Sequence, residues 1–78
     1  MGVMKLKQLR QNVIYDMAGG SGARLIIRTK RKGNGSQAFY IVQICEKSGA
    51  NSEKYYNMAM DSKEIGKALG IKGKFEVV

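Results

Sequence analysis

The stretch that decides the fold is residues 24–47, which read RLIIRTKRKGNGSQAFYIVQICEK. Apolar and polar side chains alternate from Arg24 to Lys32, as expected of a strand with one buried face. Gly33 to Ser36 supplies residues that tolerate the positive φ of a hairpin turn. Ala38 to Lys47 is apolar on both faces in its middle, which predicts a second strand in a central position. The stretch therefore predicts an antiparallel hairpin.

The residues after this hairpin predict a third strand and a helix. Ser48 to Ser52 has the composition of a turn, and Lys54 to Met60 that of a shorter strand. Asp61 is a suitable N-cap, Glu64 completes a capping box three positions later, and Gly70 is the expected stop. The segment as a whole is a β-β-β-α unit.

We expect one small basic domain over residues 1–78. Residues 1–23 are predicted to form an N-terminal strand or arm, with its best strand at Asn12 to Tyr15, and a Gly-rich connection. Residues 24–70 hold the β-β-β-α unit, and residues 71–78 end in a short strand. The predicted fold class is α+β, with an antiparallel sheet of four to five strands and one helix near the C terminus.

Charge is the most informative feature of the composition. The chain carries 14 Lys and Arg against 6 Asp and Glu, a net charge of +8. Residues 1–33 hold eight of the bases and one acid, a net charge of +7, which leaves +1 for residues 34–78. Concentrated positive charge attracts polyanions by Coulomb steering and counterion release. This charge favours nucleic acid as the partner, and an acidic protein is the alternative.

The composition argues against an enzyme. The chain has no His, and its one Cys, Cys45, lies in an apolar run where we expect it to be buried. Neither a metal site nor a cofactor is predicted. One unpaired Cys suits a reducing cytoplasm, and no run approaches the roughly 18 apolar residues of a membrane span. Because so short a chain has a small core, we expect a homodimer.

The basic strand is the strongest candidate for a binding site. On a regular strand Arg28, Lys30 and Lys32 share one face at repeats of about 6.6 Å. This spacing suits successive phosphates of an extended single strand. The alternative interpretation is a solvated edge strand on which Lys and Arg prevent aggregation.

Aromatic residues on the neighbouring strands are the second component of the predicted site. Tyr55 is predicted to stack on a base, because the adjacent Tyr56 shares a face with two methionines and is expected in the core. Tyr40 is preferred to Phe39 for its polar tip. The complete set of predicted nucleic-acid contacts is Arg24, Arg28, Lys30, Arg31, Lys32, Tyr40 and Tyr55.

Residues 24–70 resemble one repeat of the Pur-alpha family, which is related in architecture to the Whirly proteins. The resemblance rests on Arg24-Leu25-Ile26-Ile27, on Phe39-Tyr40-Ile41-Val42, and on a short strand that runs directly into the helix. It implies binding of single-stranded DNA or RNA on a curved sheet. It also implies that two chains pair as a dimer, with the helices packing across.

Residues 62–78 are similar to the helix-turn-strand segment of the AbrB-type swapped-hairpin regulators. This second resemblance implies an intertwined dimer that binds duplex DNA. The N-terminal bases and the Arg28 to Lys32 strand would then contact the duplex. The sequence thus favours a single-strand binder, with a duplex-binding regulator and a small protein-binding inhibitor or adaptor as alternatives.

Overall fold

The computed structural model describes residues 7–32, 38–49 and 51–78. Within these ranges the chain forms six strands and one helix. In chain order they are β1 (Lys7–Leu9), β2 (Ile14–Asp16), β3 (Arg24–Lys32), β4 (Ala38–Lys47), β5 (Glu53–Asp61), α1 (Ser62–Leu69) and β6 (Phe75–Val77). The predicted α+β class, with one helix in the C-terminal half, is confirmed.

Strands β2 to β5 form one antiparallel sheet whose spatial order, β2-β3-β4-β5, is their order in the chain. The register of β3 against β4 runs from Arg24↔Cys45 to Lys32↔Ala38. The central position predicted for β4 is confirmed, since β3 and β5 pair with its two edges. The predicted hairpin turn at residues 33–36 lies outside the described residues.

Helix α1 begins and ends where the sequence predicts. The Asp61 carboxylate accepts a hydrogen bond from the Glu64 N–H at 2.8 Å, and the Glu64 carboxylate accepts one from the Asp61 N–H at 3.3 Å. These two bonds are the predicted capping box. Gly70 ends the helix with φ +68°, a conformation that a Cβ atom disfavours. Among the described residues, no helix has the length and apolar character needed to cross a membrane.

The hydrophobic core lies on one face of the four-stranded sheet, which we call the covered face. Helix α1 packs on this face through Ile65, which is fully buried, and through the half-buried Ala68 and Leu69. The buried side chains of the core cluster are Leu9, Leu25, Ile27, Tyr40, Val42, Ile44, Met60 and Ile65. The core therefore draws on β1, β3, β4, β5 and α1.

The two short terminal strands pair with each other and not with the main sheet. β1 and β6 run parallel, with Lys7 opposite Phe75 and Leu9 opposite Val77. The sequence predicts a short C-terminal strand, and this is confirmed, but the parallel partner was not predicted. Gly66 of α1 allows this pair to lie close to the helix, because a Cβ atom there would stand 3.3 Å from the Phe75 ring. Together with α1, the pair contributes to the core on the covered face.

Candidate nucleic-acid interface

The opposite face of the four-stranded sheet, which we call the open face, carries no other element within the described residues. Residues opposite one another in an antiparallel pair point to the same face, so the register assigns each side chain. The residues on the open face include Ile14, Arg24, Ile26, Arg28, Arg31, Phe39, Gln43, Cys45 and Tyr55. The centre of this face is mainly apolar, with arginines around it and the acids Asp16, Glu53 and Asp61 toward the strand ends.

A β-bulge in β3 changes the predicted arrangement of the basic strand. Ile27 pairs with Val42, but the next pair is Thr29 with Ile41, so Arg28 is the extra residue. From Thr29 onward, each side chain of β3 therefore faces the opposite side of the sheet from the one expected on a regular strand. The prediction that Arg28, Lys30 and Lys32 share one face is wrong.

The shift places the predicted basic residues on two faces. Arg28 and Arg31 lie on the open face, and Arg31 is exposed opposite Phe39. Lys30 pairs with Tyr40 and so belongs to the margin of the covered face, where it is exposed. Lys32 pairs with Ala38, and its side chain lies outside the described residues.

Two neutral side chains hold the guanidinium of Arg28. Its Nε and Nη2 atoms donate hydrogen bonds to Gln43 Oε1 at 3.2 and 2.7 Å, and Nη1 donates to Asn12 Oδ1 at 3.1 Å. Asn12 has a positive φ of 65°, the one non-glycine case in the described chain, and its N–H donates to the Ile27 carbonyl at 2.8 Å. The bulged residue Arg28 is thus hydrogen-bonded to Asn12, which lies in a left-handed turn.

These contacts orient the Arg28 charge without neutralising it. Gln43 and Asn12 are uncharged, and the ion pair found in the described part of the chain joins Arg24 and Glu53 instead. Three of the five guanidinium N–H positions are engaged, which leaves donors for an anionic ligand. Arg28 is therefore a fixed, exposed cation on the open face.

Arg24 lies in a different electrostatic environment, at the other end of the same face. Its Nη2 atom donates to Glu53 Oε1 at 3.3 Å and to Cys45 Sγ at 3.5 Å. Cys45 is buried, as predicted. The Tyr55 hydroxyl also donates to Glu53. Because Glu53 partly neutralises Arg24, this residue is a weaker candidate phosphate ligand than Arg28.

The hydrogen bonds of this cluster shift the protonation equilibria of its members. The bond from the Tyr55 hydroxyl, followed by the charge of Arg24, lowers the pKa of Glu53 below its usual range. The same bond raises the pKa of Tyr55 to about 12. The contact with Cys45 and the charge of Glu53 raise the pKa of Arg24. Near neutral pH, Arg24 and Glu53 are therefore both charged and Tyr55 is protonated.

The two tyrosines predicted to stack on bases have opposite environments. Tyr55 is 58% exposed on the open face, as a stacking platform requires. Tyr40 is 6% exposed and belongs to the core on the covered face, so its predicted exposure is wrong. The choice of Tyr40 for its polar tip overlooked the alternation that places Tyr40 with Val42 and Ile44. Phe39 is the half-buried neighbour on the open face.

Sequence reasoning missed Asn12 and Gln43, the two residues that hold Arg28. Neither residue is charged or aromatic, so composition did not single them out. A detectable signal was present for Asn12, because Asn tolerates the left-handed conformation of tight turns. Gln43 is a polar residue in the middle of an otherwise apolar strand, which suggests a specific partner.

No group of three or more His, Cys, Asp or Glu side chains that could hold a metal ion occurs in the described ranges. Comparison with known proteins gave no matching family model, curated protein or solved structure.

Proposed function

We propose that this protein binds single-stranded DNA or RNA on the open face of its four-stranded sheet. The observation that carries the proposal is the Arg28 guanidinium, held in place by neutral acceptors on a face that no described element covers. A fixed, uncompensated cation with unused donors is suited to a phosphate oxygen. Arg31 provides a second exposed positive charge on the same face.

The apolar centre of the open face supports a single strand over a duplex. Bases of a single strand are available to contact apolar and aromatic side chains, whereas those of a duplex are stacked on each other. Tyr55 and the half-buried Phe39 offer rings on this face, and Ile14 and Ile26 offer aliphatic surface. In this proposal phosphates contact Arg28 and Arg31 while bases lie toward the centre.

The exposed apolar surface also favours a second candidate function, the binding of a protein. Ile14 is 57% exposed, and isoleucine in such a position is typical of protein contact surfaces when neighbouring residues are also apolar. The partner would be acidic, since the open face carries Arg28 and Arg31. The same residues would then form an inhibitor or adaptor surface.

We also propose that the chain acts as a homodimer in the cytoplasm. Strand β5 is an edge of the sheet, nine residues long and without proline, and such edges pair readily with another strand. The single unpaired Cys45 suits a reducing compartment. Light scattering coupled to size-exclusion chromatography should give twice the chain mass of 8.6 kDa. A mass of one chain at high protein concentration would contradict the dimer.

Fluorescence anisotropy tests the proposed function directly. Labelled single-stranded DNA, single-stranded RNA and duplex DNA of equal length are titrated with the protein across a salt series. We expect tighter binding to a single strand than to the duplex, with an affinity that falls as salt rises. Preference for the duplex would favour the AbrB-like alternative. No binding of any strand at low salt would refute the proposal and favour a protein partner.

A further inference from the structure

The open face contains a cavity of about 230 Å³ next to the Arg28 site. Its lining consists of Ile14, Arg24, Ile26, Gln43, Cys45 and Tyr55. Ile14 lies on β2 and Tyr55 on β5, so the cavity crosses the sheet over a width of about 14 Å at the usual strand spacing. Apolar side chains with a few polar groups at the edge are typical of small-molecule and base-binding sites.

The orientation of the Gln43 amide follows from its contact with Arg28. A guanidinium can only donate hydrogen bonds. The Gln43 atom that accepts the hydrogen bonds from Arg28 Nε and Nη2 must therefore be the amide oxygen. The amide nitrogen, Nε2, is therefore directed away from Arg28. Within the described residues Nε2 donates no hydrogen bond, so Gln43 offers hydrogen-bond donors to a ligand.

The other polar atoms of the cavity reinforce this donor character. Cys45 Sγ already accepts a hydrogen bond from Arg24, and the Tyr55 hydroxyl donates to Glu53. Arg24 uses one of its nitrogen atoms in these contacts and retains further N–H groups. The groups left for a ligand are thus mainly donors, and they favour a ligand that presents acceptors.

We infer that the cavity binds one unpaired nucleobase and prefers a base with a carbonyl oxygen, such as thymine or uracil, to one with an amino group in that place. Thymine presents the acceptor O4 at the position where cytosine presents an amino group. The amino group of cytosine and the NH₂ group of Gln43 are both donors, so they could not form a hydrogen bond with each other. Arg28, which contacts Gln43, lies where the adjoining phosphate would bind. This inference rests on the proposed function and specifies the base class that the open face selects.

The test compares the affinities for oligo-dT and oligo-dC of equal length, measured by fluorescence anisotropy. We expect the wild type to bind oligo-dT about two- to tenfold more tightly, the factor expected for one hydrogen bond between neutral groups. In Gln43→Met the ratio of the two affinities should fall to about one. The ratio is the measured quantity, because the methionine also removes the Arg28 acceptor and weakens binding of both strands. Gln8→Met, an exposed glutamine on β1, is the matched control and should keep the wild-type ratio.

The possible results separate this inference from the proposed function. Equal affinities in the wild type, or a preference for oligo-dT that persists in Gln43→Met, would overturn the inference while single-strand binding stands. Binding of neither strand would overturn both. An NMR titration gives an independent readout. The side-chain NH₂ signals of Gln43 should shift further with oligo-dT than with oligo-dC, because both strands place a phosphate on Arg28 but only thymine accepts from Gln43, and equal shifts would contradict the donor role of Gln43.

Discussion

The charge of Arg28 gives the most direct prediction, because it acts through the salt dependence of binding. For single strands, the logarithm of the affinity falls with the logarithm of salt by about 0.7 for each phosphate that is neutralised. The open face carries Arg24, Arg28, Arg31 and Lys47, but Glu53 lies against Arg24 and Lys47 and partly neutralises them. Two phosphate contacts remain, for a contribution of about 1.4 to the slope.

Replacing Arg28 by glutamine should remove half of that contribution. We expect the salt slope of Arg28→Gln to be smaller by about 0.7 than that of the wild type. The affinity at low salt should fall at least about tenfold, since a hydrogen bond to a charged group contributes about 1.5 kcal/mol or more. Lys67→Gln is the matched control. It removes the same charge from an exposed position of α1, on the other side of the sheet.

Fluorescence anisotropy at four or more salt concentrations measures both slopes, and circular dichroism verifies that each variant is folded. An unchanged slope in Arg28→Gln would refute a phosphate contact at this residue. An equal change in Lys67→Gln would show that net charge, and not the open face, drives binding.

Three further predictions concern the stability of the fold and the Glu53 cluster. Ile65→Val removes one methylene from a fully buried side chain and should lower the free energy of unfolding, measured by chemical denaturation, by about 1 kcal/mol. An unchanged free energy of unfolding would contradict the burial of Ile65 in the core. Asp61→Ala removes the N-cap of α1 and should also cost about 1 kcal/mol of unfolding free energy, and an unchanged midpoint would contradict the capping box. The raised pKa of Tyr55 means that its contribution to stability is complete below pH 10 and is lost as the pH rises to about 12. In Glu53→Gln the tyrosinate absorbance of Tyr55 should appear nearer pH 10, with Tyr55→Phe to assign it, and an unaltered titration would exclude the hydrogen bond to Glu53.

The regular elements of this protein could be predicted from the sequence because local patterns determine them. β3 and β4 have the predicted bounds, since alternating side chains and flanking turn residues act over a few positions. Helix α1 begins at the predicted capping box and ends at the predicted glycine, because these signals satisfy backbone groups within one turn. The apolar middle of β4 indicated its central place in the sheet.

The candidate site could be predicted only in part, because its geometry depends on neighbouring strands. Arg24, Arg28, Arg31 and Tyr55 are on the open face, whereas Lys30 and Tyr40 are on the covered face. The bulge causes the difference for Lys30. A single extra residue reverses the alternation that follows it, and residue types do not mark where it occurs.

The sequence by itself determined the fold class, the bounds of the central strands and helix, and the excess of positive charge. Only the tertiary structure decided which charges share a face and which are paired. It brings Asn12, Arg28 and Gln43 into contact across three segments and sets Glu53 against Arg24. It also pairs β1 with β6, at opposite ends of the chain. The physical reason is that these contacts join residues distant in sequence, and their register is set by how the whole sheet packs against its core.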